Sequence, residues 1–245
     1  MKHILLLILI SITSLTAGGI KIAVAANVSY AIDDLIKEFN KTNPNTKVNV
    51  TLGSSGKLTA QISNGAPYEL FMSANMRYPN KLYEKKLTSS KPAVYAQGSL
   101  ALFSTKNLDF SKGIELLKDD KISRIAVANP KTAPYGKAAF EAFKNADILK
   151  VIKKKFVYGE SISQTLSYAV TATDIGVVAK SSLFSPKMAM YKKNVNWVEV
   201  DSKLYRHIDQ GIVILKNSSE AKAFYDFILS KSAKKIFKNY GYTTE

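Results

Sequence analysis

The sequence predicts an α/β fold of two lobes, each a mainly parallel sheet flanked by helices, with hinge crossovers between them. Apolar strand-like runs alternate with segments that are apolar at helical spacing, a pattern typical of parallel sheets covered by helices. Two connections, near Gly98 and near Asp209 to Gly211, flank a middle block of the same character. We therefore expect residues 19–97 and 208–245 to form lobe 1, and residues 98–207 to form lobe 2.

The first block begins with a strand, and a helix follows it directly. Lys21 to Ala25 is an apolar run, and Ile32, Leu35, Ile36 and Phe39 then recur at helical spacing. The further elements predicted in this block are a strand at Lys47 to Leu52, a short helix around Leu58 and Ile62, and a strand at Glu69 to Ser73.

The middle block repeats this order before the chain returns to lobe 1. Its predicted strands are Ser99 to Phe103, Arg124 to Ala128, Val157 to Gly159, Ile175 to Ala179 and an edge strand at Trp197 to Val200. Its predicted helices are Ala138 to Lys144 and Ser163 to Val170. A strand at Gly211 to Leu215 and helices at Ser219 to Leu229 and Ala233 to Tyr240 complete lobe 1.

The N-terminal segment has the layout of a cleavable signal peptide. A basic start precedes the apolar run Ile4 to Ile12, and small residues, Thr16 to Gly19, follow it. The run is too short to span a bilayer as a helix. We expect residues 1–18 to be removed and the mature protein to be periplasmic.

Composition narrows the classes of function. The formal net charge is +16, which would suit nucleic acid, an anionic membrane or an anionic ligand, but the lysines are scattered along the chain. Scattered lysines are typical of solvated faces, so we expect no nucleic-acid partner. The chain has no cysteine, which excludes disulfides, thiolate nucleophiles and cysteine metal sites.

Four places share an order that suits anion binding: an apolar strand, a turn of small or polar residues, and a helix start. The first turn of a helix has unpaired backbone N–H groups and a partial positive charge, so several such turns can bind an anion together. Helix capping by Ser29, Ser55 or Ser161 is the alternative interpretation of each turn taken singly. The four turns are Ala25 to Ser29, Gly53 to Gly56, Ala133 to Gly136 and Gly159 to Ser163.

Enzyme chemistry has little support in the residues. The predicted mature chain has one histidine, His207, without a nucleophile elbow or a carboxylate partner motif around it. Gly53 to Gly56 lacks the spacing and the lysine of a phosphate loop. We predict no catalytic residue, no metal ligand and no cofactor.

Short segments in a fixed order carry a resemblance to a known family. They are Ala25-Ala26-Asn27-Val28, Ser54-Ser55 with Gly65-Ala66-Pro67, Glu69 to Ala74, Gln97-Gly98-Ser99-Leu100, Ala126 to Pro130 with Pro134-Tyr135-Gly136, and Ile236 to Tyr242. As an ordered set they resemble the molybdate-binding proteins that serve ATP-driven importers. The resemblance covers nearly the whole mature chain.

The resemblance implies a type II periplasmic binding protein fold and a site between the lobes. Carried over residue by residue, it implies that Asn27 and Ser55 hold the anion from lobe 1. Tyr135 and Ile162 would hold it from lobe 2, both through their backbone N–H groups. Ala26 and Ala179 are further candidates. The implied ligand is molybdate or tungstate, the implied partner is the membrane permease of an ABC importer, and we expect a monomer.

One departure from the family pattern concerns a hydroxyl group. Some members place a tyrosine after the Gly-Ile-Val strand, where this chain has Ala179, and those members have alanine where Tyr135 stands here. We hypothesise that the Tyr135 hydroxyl replaces that contact from the opposite turn. The alternatives are a protein for sulfate, phosphate or an organic anion, an enzyme on the same fold, and an adhesin that binds through its basic surface.

Overall fold

The computed structural model describes residues 19–244, which form two five-stranded sheets with helices packed against them. The predicted signal peptide, residues 1–18, lies outside the described residues. The strands are β1 (Gly19–Ala25), β2 (Lys47–Gly53), β3 (Leu70–Ser73), β4 (Ala93–Gly98), β5 (Leu100–Phe103), β6 (Ile125–Ala128), β7 (Phe156–Gly159), β8 (Ile175–Ala179), β9 (Trp197–Glu199) and β10 (Ile208–Ile214).

The helices lie in the connections between these strands and after β10. The α-helices are α1 (Ile32–Phe39), α2 (Ser55–Ser63), α3 (Arg77–Glu84), α4 (Pro134–Asn145), α5 (Leu149–Ile152), α6 (Ile162–Thr171), α7 (Ser219–Ile228) and α8 (Lys231–Asn239). Short 3₁₀ helices lie at Ala26–Tyr30, Phe110–Lys118, Lys153–Lys155, Lys180–Phe184, Pro186–Met188 and Ser202–Leu204. Within residues 19–244, no helix combines the length and the apolar character that crossing a membrane requires.

Both sheets are mixed and have equivalent strand arrangements. The first has the order β2-β1-β3-β10-β4, and the second has the order β7-β6-β8-β5-β9. In the first, β1 is parallel to β2 and β3, whereas β10 is antiparallel to β3 and β4. In the second, β6 is parallel to β7 and β8, whereas β5 is antiparallel to β8 and β9. Four strands of each sheet therefore run in the same direction, and the predicted parallel pairing joins three of them. β5 and β10, the first strands after the two crossovers between the sheets, run in the reverse direction.

The central strands are almost entirely apolar because helices cover both of their faces. Every residue of β3, β5, β6 and β8 is buried, as expected for strands with no solvated face. The amphipathic helix α1 places Leu35 and Phe39 against the first sheet. There the ring of Phe39 packs edge to face against that of Phe224 in α7, with the ring centroids 5.0 Å apart. These cores hold the strand ends, and therefore the turns that follow them, in fixed positions.

The chain passes between the sheets at the two predicted places. β4 ends at Gly98 and β5 begins at Leu100, and β10 begins at Ile208 after the second sheet is complete. β1 to β4 and β10 thus belong to the first sheet, and β5 to β9 to the second. The division into lobes at residues 97/98 and 207/208 stays a prediction.

Candidate functional site

The four predicted turns meet between the two sheets and surround a small cavity. The cavity has an empty volume of about 190 Å³, including its open mouth. All of its lining residues are neutral: Ala25, Ala26, Asn27, Gly53, Ser54, Ser55, Ala74, Ala133, Pro134, Tyr135 and Ile162. The turns after β1 and β2 form one wall, and the starts of α4 and α6 form the other. Asn27, Ser55, Tyr135, Ile162 and Ala26 are therefore brought together, as the sequence prediction requires.

Three buried polar atoms of lining residues form no hydrogen bond within residues 19–244: Asn27 Oδ1, Ser54 Oγ and the Tyr135 hydroxyl. We call these the open polar atoms of the cavity. They are half of the six side-chain atoms of this kind in the described part of the chain. Buried polar atoms are nearly always hydrogen-bonded because desolvating them costs free energy. Their concentration in one cavity indicates that its walls are built to receive a polar ligand.

Asn27 lies in the 3₁₀ turn after β1, and its side-chain amide is held by distant residues. Its Nδ2 donates to Gln210 Oε1 at 2.8 Å and to the Tyr242 hydroxyl at 2.8 Å. The Tyr242 hydroxyl in turn donates to the Asn27 carbonyl oxygen at 2.9 Å. Burial raises the pKa of Tyr242 to about 12, so this hydroxyl keeps its proton. The amide therefore has a fixed orientation.

Ser54 and Ser55, at the start of α2, have different roles. Ser55, fully buried at the first position of α2, accepts a hydrogen bond from the Ala74 backbone N–H at 2.9 Å. Ser54 occupies the N-cap position, but its side chain makes no capping bond within the described residues, and its hydroxyl is one of the open polar atoms. Our sequence prediction chose Ser55 and omitted Ser54.

Tyr135 follows Pro134 at the start of α4 and is almost fully buried. A Cβ atom added to Gly98 would overlap with the Tyr135 hydroxyl and would lie 3.0 Å from Gln210 Nε2. The hydroxyl thus points towards the end of β4, next to the crossover. Burial raises the pKa of Tyr135 well above its usual value, so the group is a proton donor at any physiological pH. A contact of this hydroxyl with an anion stays a prediction.

The remaining candidates differ in position. Ile162 is the first residue of α6, whose N-cap Ser161 accepts from the Gln164 backbone N–H at 3.2 Å. Capping by Ser161 therefore coexists with the cavity. Ala26 lines the cavity, whereas Ala179, the last residue of β8, is buried outside the lining. A contact of Ala179 with an anion stays a prediction.

Direct bonds join the two walls around the cavity. The Gly56 backbone N–H donates to the Thr132 carbonyl at 2.9 Å, and the Ser163 hydroxyl donates to the Ala26 carbonyl at 2.7 Å. Lys57 of α2 and Glu160, which lies just before α6, form an exposed ion pair. These contacts describe a closed arrangement, in which a bound ligand would be largely shielded from water.

His207 lies elsewhere, in a wider cleft that is also lined by Glu141, Arg206 and Lys137. Arg206 forms an ion pair with Glu141, with Nε 2.8 Å from Oε1. In residues 19–244, no group of three or more histidine, aspartate or glutamate side chains is arranged to hold a metal ion.

Sequence reasoning missed three residues of the site, namely Ser54, Gln210 and Tyr242. Ser54 could have been found, because it stands beside Ser55 in the same turn. Tyr242 lies at the end of the C-terminal segment that carried the family resemblance, which was a signal of its importance. Gln210 had no local signal, because its contact with Asn27 spans 183 positions.

Comparisons with known proteins agree with this geometry. Residues 20–243 match the family model described as bacterial extracellular solute-binding protein. The molybdate-binding protein ModA of Rhodobacter capsulatus is 34% identical over 94% of the chain and 90% of its own length. ModA of Azotobacter vinelandii is 33% identical over 92% of the chain and 90% of its own length. The solved structure of the Azotobacter vinelandii periplasmic molybdate-binding protein superposes with a TM-score of 0.84 at 30% identity, covering 92% of this chain and 99% of that one.

Proposed function

The chain belongs to the bacterial extracellular solute-binding proteins, and we propose that it captures molybdate or tungstate and delivers the anion to the membrane permease of an ABC importer. In this proposal the cavity between the two sheets is the binding site. Residues 19–97 and 208–245 act as lobe 1, and residues 98–207 act as lobe 2. The protein works in the periplasm as a monomer, without catalysis, cofactor or nucleic-acid partner.

The observation that carries the proposal is that two open hydroxyl groups, those of Ser54 and Tyr135, lie in a cavity with neutral walls. A tetrahedral dianion that loses its water needs a donor for each oxygen, and each charge-assisted bond contributes about 1.5–3 kcal/mol. Hydroxyls of the Ser54-Ser55 turn and backbone N–H groups at the starts of α4 and α6 are donors of this kind. The site residues in the proposal are Asn27, Ser55, Tyr135 and Ile162, with Ser54 added from the structure.

Neutral donors also explain the choice of anion. A buried lysine would attract phosphate and nucleotides as well, whereas N–H and O–H donors are directional and fit one shape. The backbone N–H groups at the starts of α4 and α6 offer no acceptor for a proton on the ligand, so they favour fully ionised anions over protonated phosphate. Molybdate and tungstate then differ from sulfate in size alone. In this proposal the volume of the cavity favours the two larger anions over sulfate.

The test is a series of oxyanions added to the mature protein. Thermal unfolding and titration calorimetry are measured with molybdate, tungstate, sulfate and phosphate at equal concentration. A ligand present at 100 times its Kd stabilises the folded state by about 2.7 kcal/mol. For a protein of this size that corresponds to a Tm increase of roughly 5–10 °C.

We expect this increase for molybdate and tungstate and no increase for the other two anions. Stabilisation by sulfate or phosphate at equal concentration would replace the proposal with its nearest alternative. If none of the four anions stabilised the protein, oxyanion capture would be excluded as its function.

A further inference from the structure

Two serine hydroxyls reach from the side of the second sheet to the backbone of the turn that carries Asn27. Ser163, in the first turn of α6, donates to the Ala26 carbonyl at 2.7 Å. Ser181, buried in the 3₁₀ helix after β8, donates to the Asn27 carbonyl at 3.3 Å. The two acceptors are consecutive backbone carbonyls, so both bonds hold the same short stretch of chain.

The Ser163 hydroxyl is gripped by this turn at two points. It lies 3.3 Å from the Ser29 hydroxyl as well as 2.7 Å from the Ala26 carbonyl. A serine hydroxyl has one hydrogen, and Ser163 uses it on Ala26, so Ser29 is the donor in the second bond. Ser163 therefore joins the first and the fourth residue of the 3₁₀ helix Ala26–Tyr30. The Ser29 hydroxyl serves a contact between the walls.

A bond at a carbonyl also sets the N–H group of the next residue. The peptide bonds of residues 19–244 are all trans, so each carbonyl points opposite to the N–H in the same planar group. Fixing the Ala26 carbonyl fixes the direction of the Asn27 N–H, and the hydrogen bond polarises that N–H into a stronger donor. Ala26 and Asn27 both line the cavity, whereas Ser163 and Ser181 lie outside the lining. The serines thus act on the cavity wall from behind it.

Packing keeps Ser181 in this position. The 3₁₀ helix Lys180–Phe184 that carries it ends in Phe184, whose ring lies against Gly241 in the C-terminal segment. A Cβ atom added to Gly241 would be 2.7 Å from this ring. The Asn27 carbonyl accepts a second hydrogen bond from Tyr242, the neighbour of Gly241, at 2.9 Å. The carbonyl is therefore held from both sides of the cavity.

We propose that Ser163 and Ser181 are positioning residues, which act through the Ala26–Asn27 backbone when the lobes close on an anion. This inference rests on the proposed function, in which the serines belong to lobe 2 and the turn to lobe 1. With the lobes apart, water hydrates these hydroxyls and carbonyls. Closure replaces the water with the bonds between the lobes, and the anion then meets peptide groups of fixed orientation. Neither serine touches the anion.

Calorimetry of the mature protein with molybdate tests the role of Ser163. Ser163→Thr and Ser163→Val have the same shape and differ in the hydroxyl alone. We expect Kd for the valine variant to exceed that for the threonine variant about 2- to 12-fold, the loss of one hydrogen bond. Their urea midpoints without ligand should agree, because the bond is absent from the open form.

Ser181→Ala should raise Kd about 2- to 4-fold, since its bond is longer and its acceptor keeps the bond from Tyr242. The matched control is Ser167→Ala. Ser167 lies on the same helix as Ser163, but its hydroxyl donates to the Ser163 carbonyl within that helix. Its loss should leave Kd unchanged.

Amide NMR of the molybdate-bound protein separates positioning from a purely structural role. The Asn27 amide shares its peptide group with the Ala26 carbonyl, and the Val28 amide shares one with the Asn27 carbonyl. Replacing Ser163→Thr by Ser163→Val should therefore shift the Asn27 amide resonance, and Ser181→Ala should shift that of Val28. Ser167→Ala should shift neither.

Three outcomes decide between the proposals. Equal Kd for Ser163→Thr and Ser163→Val, in a protein that binds molybdate, would overturn the inference and leave the proposed function intact. A higher Kd for the valine variant with an unshifted Asn27 amide would also overturn it, because the hydroxyl would then join the lobes without acting on the turn. A parent protein that bound none of the four anions would instead overturn the proposed function, and this inference with it.

Discussion

Gly56→Ala should weaken anion binding, because Gly56 lies where the two walls of the cavity touch. A Cβ atom at this position would be 2.8 Å from the Thr132 carbonyl oxygen and 3.0 Å from Thr132 Cα. It would also be 2.8 Å from the Tyr78 hydroxyl, but that side chain can rotate away. The backbone of Thr132 cannot, so the methyl group must push the walls apart.

The size of the effect follows from the cost of overpacking. Inserting a methyl group into a tight contact costs about 1–3 kcal/mol. In the proposed function the lobes open when the ligand leaves, which relieves this contact, so the whole cost falls on the closed, ligand-bound form. Since 1.4 kcal/mol is tenfold in affinity, Kd for molybdate should rise about 5- to 150-fold.

Calorimetry gives Kd, and urea unfolding without ligand checks the fold. The urea midpoint of Gly56→Ala should stay near that of the parent, because the open form leaves both sheets intact. Gly65→Ala is the contrasting variant: Gly65 has a φ of +85°, and no atom of the described residues lies within 4 Å of its added Cβ. That change should cost stability through backbone strain and leave Kd unchanged. Unchanged affinity in Gly56→Ala would refute the argument that this contact limits closure.

Three further predictions concern single side chains. Ser54→Ala should raise Kd for molybdate about tenfold, as measured by calorimetry. It should leave the Tm of the ligand-free protein unchanged, since Ser54 forms no capping bond within residues 19–244. An affinity equal to that of the parent would show that Ser54 is not part of the site. Lys57→Met should change Kd less than threefold, because its ion pair with Glu160 is exposed; a large change that salt does not reduce would contradict this. Burial raises the pKa of Asp174, but hydrogen bonds from Lys106, the Arg124 N–H and Ser123 outweigh burial and hold that pKa well below its usual range. A lowered folded-state pKa stabilises the protein above the unfolded pKa, so urea stability should decrease as pH falls below about 4, and Asp174→Asn should be less stable at neutral pH and lose less on acidification. Parallel pH profiles for parent and variant would contradict this.

Most secondary structure followed from local patterns. Helix α1 (Ile32–Phe39) and strand β8 (Ile175–Ala179) have the extents predicted, and the other predicted elements lie within a few residues of those observed. An element with one buried face has apolar residues at regular spacing, and a fully buried element is apolar along its length. Both patterns are visible in a short segment of sequence. Helix α3 was missed because it buries only Pro79 and Leu82, which is too little to give a pattern.

The site was predicted in part. The four turns could be found because each follows a buried strand and opens a helix, and the carboxyl ends of parallel strands meet at one edge of a sheet. Local sequence patterns could not show which hydroxyl of Ser54 and Ser55 is left without a hydrogen bond in the cavity. That choice depends on which hydroxyl meets the Ala74 backbone N–H, and β3 supplies that group from a different part of the chain.

The sequence by itself determined the alternation of strands and helices, the two crossovers and the neutral helix-start turns that line the cavity. Only the tertiary structure decided how the side chains of that site are used. Asn27 is oriented by Gln210 and Tyr242, which lie 183 and 215 positions away, and the Tyr135 hydroxyl points to the crossover at Gly98. A hydrogen bond depends on distances set within tenths of an ångström by the packing of two sheets. No local pattern of residues specifies such distances, whereas burial and periodicity can be recognised from consecutive residues.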